Sequence, residues 1–379
     1  MGAGGAIIRP MAVWGPAAQG DAMCSGAGPA GAGPAHGRVV PIQEPAANAH
    51  RLTRQLLLIG ACMVVVSCGG TPTAPSGSQV PAPVLPAPAP PAPVTPTGRV
   101  VSAIDTSIGL SDVAISGSGL PESRSNVEGA FTLQTPASTY TILLQRVGFV
   151  ERQTAVSLPA TGLRLSMIPN TFDIAAFEEF SPRASGLKRW TSDPSLVVLT
   201  SAVDWDNGTL TPRVTDHVLS SGDFDCVLSG VRDAIGPMSG GALAFKSVTA
   251  VSPPFNSRYA LAGTPEGTVV VMVARGLDAN GRAGPLQLGS SATTLTRGAI
   301  WINGDVLPLC SPTATGVYPH ELGHALGYLH ITRQPSIMSS LGPTRTPTQF
   351  DKDAMAVIYQ RPPGNRAPDI DPAGFVVAP

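Results

Sequence analysis

Three of the six histidines in the 379-residue chain fall inside one stretch of eleven residues, His320-Glu321-Leu322-Gly323-His324-Ala325-Leu326-Gly327-Tyr328-Leu329-His330. On a helix, His320 and His324 stand one turn apart and share a face. Two imidazoles placed that way reach one Zn2+ at about 2.0–2.1 Å. Gly327 tolerates the positive φ of a sharp helix-ending turn, after which the chain can return His330 to the same ion. Three neutral His ligands leave a fourth coordination position for water, the arrangement of a catalytic rather than a structural zinc. Glu321 follows the first ligand directly and is the candidate general base toward that water. The chemistry on offer is metal-assisted hydrolysis of an amide or ester. His217 stands alone in the sequence and reads as a surface or capped residue.

Every fixed position of H-E-x-x-H-x-x-G-x-x-H is present. The stretch resembles the metzincin clan of zinc peptidases and, within it, the matrixin family. Pro335-Ser336-Ile337-Met338 adds to the resemblance, because Met338 lies eight residues beyond His330. That is the place of the Met-turn, whose Met packs as an apolar floor under the ligands. The resemblance implies an α+β catalytic domain over residues 186–361, a twisted mixed sheet with an active-site helix and a C-terminal helix. It implies one catalytic zinc on His320, His324 and His330, and endopeptidase action on a protein or peptide substrate. The peptide is expected to lie extended along an edge strand near 284–289.

The chain also departs from the family. Pro319 precedes His320; proline lacks the N–H that a helix interior needs, so the active-site helix is expected to begin at about Thr315–Tyr318. Ile331 follows the third His where matrixins usually carry Ser, and Ser339-Ser340 follow Met338 where Tyr-Pro is common. No cysteine-switch prodomain is visible. The loop 276–282 has no His for a second, structural zinc. Asp278 and Asn280 within it are candidate oxygen ligands for Ca2+ on residue type alone.

A sheet and helices must position such a site, and the sequence offers them. Residues 196–199, 243–245, 268–273, 284–289 and 299–303 read as strands. Residues 211–235 read as an amphipathic helix carrying His217, with Val214, Val218, Leu219, Cys226, Val227 and Val231 turned inward. Thr348-Gln349-Phe350-Asp351 reads as an N-cap with an acidic N3 residue, opening a helix through about Gln360.

Residues 98–170 alternate short apolar runs with turn signals, the pattern of a small all-β sandwich. Gly98-Arg99-Val100, Asn126-Val127-Glu128-Gly129-Ala130-Phe131, Tyr140 and Val147-Gly148-Phe149 resemble the carboxypeptidase regulatory-like, transthyretin-like domain. That region carries no His and no Cys, so a spacer or binding role is expected.

The N-terminal third reads as address and tether. Residues 1–67 end in Arg51, Arg54, an apolar run over 56–67 too short to span a bilayer, and then Val65-Val66-Ser67-Cys68-Gly69. This resembles a bacterial lipobox, which implies cleavage before Cys68, lipid on its sulfur, and an exported protein anchored to a membrane. A second candidate ending at Cys62 leaves a shorter apolar run. Residues 68–97 hold a Pro-rich linker, with ten prolines over 71–97, expected to run as extended polyproline II. Of five Cys, Cys24 and Cys62 fall in the leader and Cys68 takes the lipid. Cys226 and Cys310 remain as a candidate disulfide or as two small buried hydrophobes. Residues 362–379 read as a flexible tail.

Net charge is −1 with no Lys/Arg cluster, which gives nucleic acid no electrostatic footprint. The 42 Gly and 39 Pro with only 13% charged residues exclude a coiled coil and argue against a single helical domain. A rival reading is a surface adhesion lipoprotein with an inactive peptidase-like domain. It needs a broken motif, and here Glu321 and all three His are present. Nothing in the sequence fixes the oligomeric state.

Overall fold

Apolar residues at alternate positions build the first part of the fold. Its strands are β1 (Thr97–Ser102), β2 (Ala114–Gly117), β3 (Leu120–Arg124), β4 (Ala130–Thr132), β5 (Ser138–Gln145), β6 (Arg152–Leu158) and β7 (Thr161–Met167). They form two sheets, ordered β4-β1-β7 and β3-β2-β5-β6. Val100, Ile115, Phe131, Ile142, Leu144, Val156 and Leu165 meet in one core. The computed structural model describes residues 97–206, 210–286, 293–340 and 342–379. The expected leader, the candidate lipidation residue Cys68 and nearly all of the Pro-rich linker therefore lie outside the described residues. Among the described residues no helix is long and apolar enough to cross a membrane.

Seven residues of α1 (Ile174–Phe180) separate this region from the next. Then come β8 (Arg189–Trp190), β9 (Ser195–Leu199), β10 (Ser201–Asp204), β11 (Arg213–Val218), α2 (Ser221–Met238), β12 (Ser247–Val251), β13 (Thr268–Arg275), β14 (Gly281–Pro285), β15 (Thr294–Leu295), β16 (Arg297–Asn303), α3 (Ala314–Ala325) and α4 (Gln349–Tyr359). The chain is thus α+β. The central strand β13 is parallel to β9, β10 and β16, while β14 runs antiparallel to β16 and ends the sheet. β13 is apolar on both faces. Val269, Val271 and Val273 join Val227, Val231, Leu322 and Met355 of the helices in one core. Val270, Met272 and Ala274 join Leu199, Leu261 and Trp301 in a second core on the opposite face. A strand covered on both faces reads as a continuous apolar run, which is why 268–273 was legible as a strand.

Three expectations need correction. The helix expected over 211–235 begins only at Ser221. Residues 213–218 are β11, antiparallel to β10 with Val203 opposite Val214. A spacing of four fits one side of a regular strand as well as of a helix, but a register shift between β10 and β11 leaves Val214 buried and Val218 exposed. Ser220 then caps α2, its hydroxyl accepting from Asp223 N–H at 3.1 Å. Val218 is exposed, and His217 lies on a strand. Second, 243–245 is not a strand; pairing with β9 begins at Ser247. Third, residues 362–379 are not a loose tail. They run along β6, where Gln153 N–H donates to Asp369 O at 3.0 Å, Asp371 N–H to Gln153 O at 3.0 Å, and Val377 N–H to Ala155 O at 2.8 Å. Proline-rich backbone can still pair through its carbonyls and its remaining N–H groups.

This C-terminal segment also carries a buried ionic network. Arg361, at the end of α4, makes two 2.7 Å bonds to Asp369 and donates to Ser166 Oγ on β7 at 2.7 Å. Arg152 of β6 donates to Asp371 at 2.9 Å, and Asn365 bridges both carboxylates. Each buried charge is held by a partner, as burial demands. The β-rich region and the larger sheet belong to one compact unit. Cys226 of α2 and Cys310, just ahead of α3, are joined in a disulfide with Cα atoms 5.3 Å apart.

Candidate metal centre

The site is built on α3 and the turn that ends it. Pro319 is the sixth residue of α3, which begins at Ala314, one residue before the expected range Thr315–Tyr318. His320 and His324 project from one face, with ring centroids 4.8 Å apart. Gly327 adopts φ +100° and closes the helix. Its N–H donates to His324 O at 2.9 Å and that of Tyr328 to Gly323 O at 2.9 Å, the paired bonds of a Schellman motif. Trp190 Nε1–H satisfies the Ala325 carbonyl at 3.0 Å. The reversed chain brings His330 back. Its Nε2 lies 3.1 Å from Nε2 of His320 and 3.1 Å from Nε2 of His324.

The ring orientations are set from behind. His320 Nδ1 faces Ile337 O at 2.6 Å and His324 Nδ1 faces Tyr328 O at 2.8 Å. A carbonyl only accepts, so both Nδ1 atoms carry the proton and both Nε2 atoms present lone pairs. A single Nε2–H on His330 could satisfy only one of them. Three converging imidazole nitrogens fit a cation better than they fit each other. Tetrahedral ligands at about 2.0–2.1 Å are about 3.3 Å apart, close to the spacing seen here. Among the described residues, this is the group of His, Cys, Asp and Glu side chains arranged to hold a metal ion.

Glu321 is buried, and its Oε2 has no hydrogen-bond partner among the described residues. Burial pushes its carboxyl up to about 8, against a smaller opposing pull from Arg282. Burial also lowers His320 to about 4 and holds His324 well below its ordinary range, so both rings stay neutral as metal binding requires. Gly281, the first residue of β14, leaves the space that the carboxyl occupies. A methyl group at position 281 would fall 2.6 Å from Glu321 Oε1. Gly281→Ala should therefore displace the carboxyl. A crystal structure of the variant would check this.

These shifts set the pH dependence of the metal-free chain. Folded Glu321 keeps its proton up to about 8 against an ordinary 4.5, so stability falls as pH rises through that window. Folded His320 resists protonation down to about 4 against an ordinary 6.5, so stability falls as pH drops below 6.5. His324 adds to the acid side. Maximum stability is expected near pH 6.5, with a loss of roughly 2 kcal/mol by pH 8 from Glu321. Melting curves of chelator-treated protein should show that alkaline decline, and Glu321→Gln should abolish it.

Met338 is fully buried. A methyl on Gly323, between the two helix ligands, would meet its Sδ at 2.5 Å, so Met338 lies directly against α3 under the site. Its loop closes on itself through Ile331 N–H to Met338 O at 2.9 Å. Asp351 holds this loop. It accepts from Ser336 Oγ, from Ile337 N–H at 3.0 Å and from Thr348 N–H at 2.7 Å. The sequence showed Asp351 only as a helix-capping acid; its reach to Ile337, and so to His320, appears only in three dimensions. Asp278 bonds Arg282 at 2.9 Å through Oδ1 and 3.1 Å through Oδ2. Asn303 ties the same loop through Leu277 O and Ala279 O, both at 2.7 Å. Protein groups thus organise the loop that carries Asp278 and Asn280.

No family model matches the sequence, and no curated protein does. Solved structures similar in part include an N-terminal interface mutant of a type II cohesin–X-dockerin complex from Acetivibrio cellulolyticus, 18% identical, covering 20% of this chain and 58% of that one at a TM-score of 0.17. The C-terminal interface mutant of that complex is 20% identical, covering 19% of this chain and 51% of that one at a TM-score of 0.16. The chain thus spans between half and three-fifths of the length of those chains. Likeness at that score carries no argument about fold or function.

Proposed function

We propose that the chain is a zinc-dependent endopeptidase of the metzincin clan, with a matrixin-like catalytic domain over residues 186–361. The observation that carries this reading is the convergence of three Nε2 atoms, two of them from the helix that also buries Glu321, whose Oε2 has no hydrogen-bond partner among the described residues. His320, His324 and His330 would hold the ion. Zinc bound there supplies Lewis acidity that polarises a scissile carbonyl and acidifies water. Glu321 takes a proton from the attacking water and delivers it to the leaving amine. Its burial keeps bulk water from competing for that proton, and Gly281 keeps the carboxyl in place. β14 ends the sheet and, among the described residues, pairs with β16 alone, so its outer edge suits an extended peptide. This strand begins earlier than the expected 284–289, of which residues 287–289 lie outside the described residues.

Lipid attachment at Cys68 and the linker after it would place this domain at a membrane surface, acting on extracytoplasmic proteins. The test is cleavage of denatured casein and a peptide library by the zinc-loaded protein, with new termini identified by mass spectrometry. Cleavage blocked by 1,10-phenanthroline and restored by zinc is expected. Zinc-loaded protein that releases no new peptide termini would refute the reading.

A further inference from the structure

We propose that Glu179 positions the third metal ligand, which makes α1 part of the metal centre rather than a link between domains. The proposal rests on the zinc reading above. His330 is the one ligand outside a helix. After Gly327 the chain has left α3, and no regular element carries residues 328–334. A ligand on such a segment must be held by its neighbours, or its ordering cost falls on metal binding.

The neighbours come from α1. Leu329 N–H donates to Phe180 O at 2.9 Å. Thr332 N–H donates to Glu179 Oε2 at 2.9 Å, Thr332 Oγ1 to the same oxygen at 3.3 Å, and Arg333 Nε to Oε1 at 2.8 Å. His330 therefore stands between two backbone anchors, one on each side, both on α1. Ile331 N–H is tied to Met338 O, so the loop is fixed on its other face as well. α1 itself is immobilised. Phe180 stacks on Tyr328 with centroids 4.6 Å apart and meets Phe350 of α4 edge-on at 6.0 Å. Tyr328 is the residue whose carbonyl orients His324.

The ion pair of Glu179 with Arg333 is partly exposed and contributes little by itself. The bond to Thr332 N–H is the one that fixes the backbone. α1 follows β7 closely, and Ile168 and Phe172 belong to the same core as α1 and the helices. The β-rich region is thereby coupled to the ligand loop through a continuous packed path.

The test measures zinc affinity of the full chain by competition with a chromogenic chelator, together with the melting temperature of the metal-free form. Glu179→Ala should weaken zinc binding about 10- to 100-fold, the range seen when a group supporting a ligand is removed. Glu179→Gln keeps an amide oxygen for Thr332 N–H and should stay within about threefold of wild type. A merely structural Glu179 would lower the metal-free melting temperature and leave zinc affinity unchanged; that result overturns the proposal. Should Glu179→Ala fail to fold, Glu179→Asp decides, since it withdraws the carboxylate by one methylene and keeps the charge. Wild-type zinc affinity in Glu179→Asp would likewise overturn it. A wild-type chain that binds no zinc removes the underlying reading instead, an outcome distinct from both.

Discussion

Glu321→Gln should leave zinc bound and lower kcat/KM by about 10²–10⁴-fold, the usual worth of a positioned general base. The amide is nearly isosteric, so it fills the space beside Gly281 without the strain a larger group would bring. It cannot accept and return a proton. Zinc affinity should be little changed, because Glu321 is not among the converging ligands. The metal-free variant should also be the more stable protein above neutral pH, since a neutral amide has no buried charge to form. Loss of activity with gain of stability marks a residue kept for chemistry rather than for packing. Equal turnover by variant and wild type would remove Glu321 from the mechanism.

Asp351→Ala should be among the most destabilising single changes in the chain. Asp351 is fully buried, and its loss strands Ser336 Oγ, Ile337 N–H and Thr348 N–H. At about 1–3 kcal/mol for each donor left unmet, the total is roughly 3–5 kcal/mol after partial relaxation. The damage should reach the metal. Ile337 O holds His320 Nδ1, and Met338 lies one residue further on. We expect a fall of about 10 °C in melting temperature together with weaker zinc binding. Thermal denaturation and chelator competition would check both. A shift below about 1 kcal/mol would mean that Asp351 is only a helix cap.

What the sequence revealed, and what it hid, follows from how local each feature is. His320, Glu321, His324, Gly327 and His330 lie within three turns of chain, and helix geometry plus one positive-φ glycine suffices to bring them together. β13 was legible because a strand buried on both faces is apolar throughout. α4 was legible because Thr348 and Asp351 write a capping box into four residues, which the structure contains. β11 reads as helix because a spacing of four, as between Val214 and Val218, fits either period, while the register shift that leaves Val218 exposed has no sign in the sequence. The support of the site was invisible for a different reason. Glu179 meets Thr332 across 153 positions, Gly281 meets Glu321 across 40, and Arg361 meets Ser166 across 195. No spacing rule links residues so far apart. Glu179 and Asp351 carry no local sign beyond being acidic, and Gly281 looks like any turn glycine. The disulfide is intermediate: export would leave Cys226 and Cys310 as the remaining pair, yet only their placement on α2 and before α3 shows that they meet.

The central claim is that His320, His324 and His330 form one zinc site. Its most direct test is the metal content of the full chain, stripped with chelator, exposed to micromolar zinc and freed of excess by gel filtration. One zinc per chain is expected in wild type, with almost none in His324→Ala. Wild-type protein that emerges without zinc, or a His324→Ala variant that retains it equally, would contradict the claim.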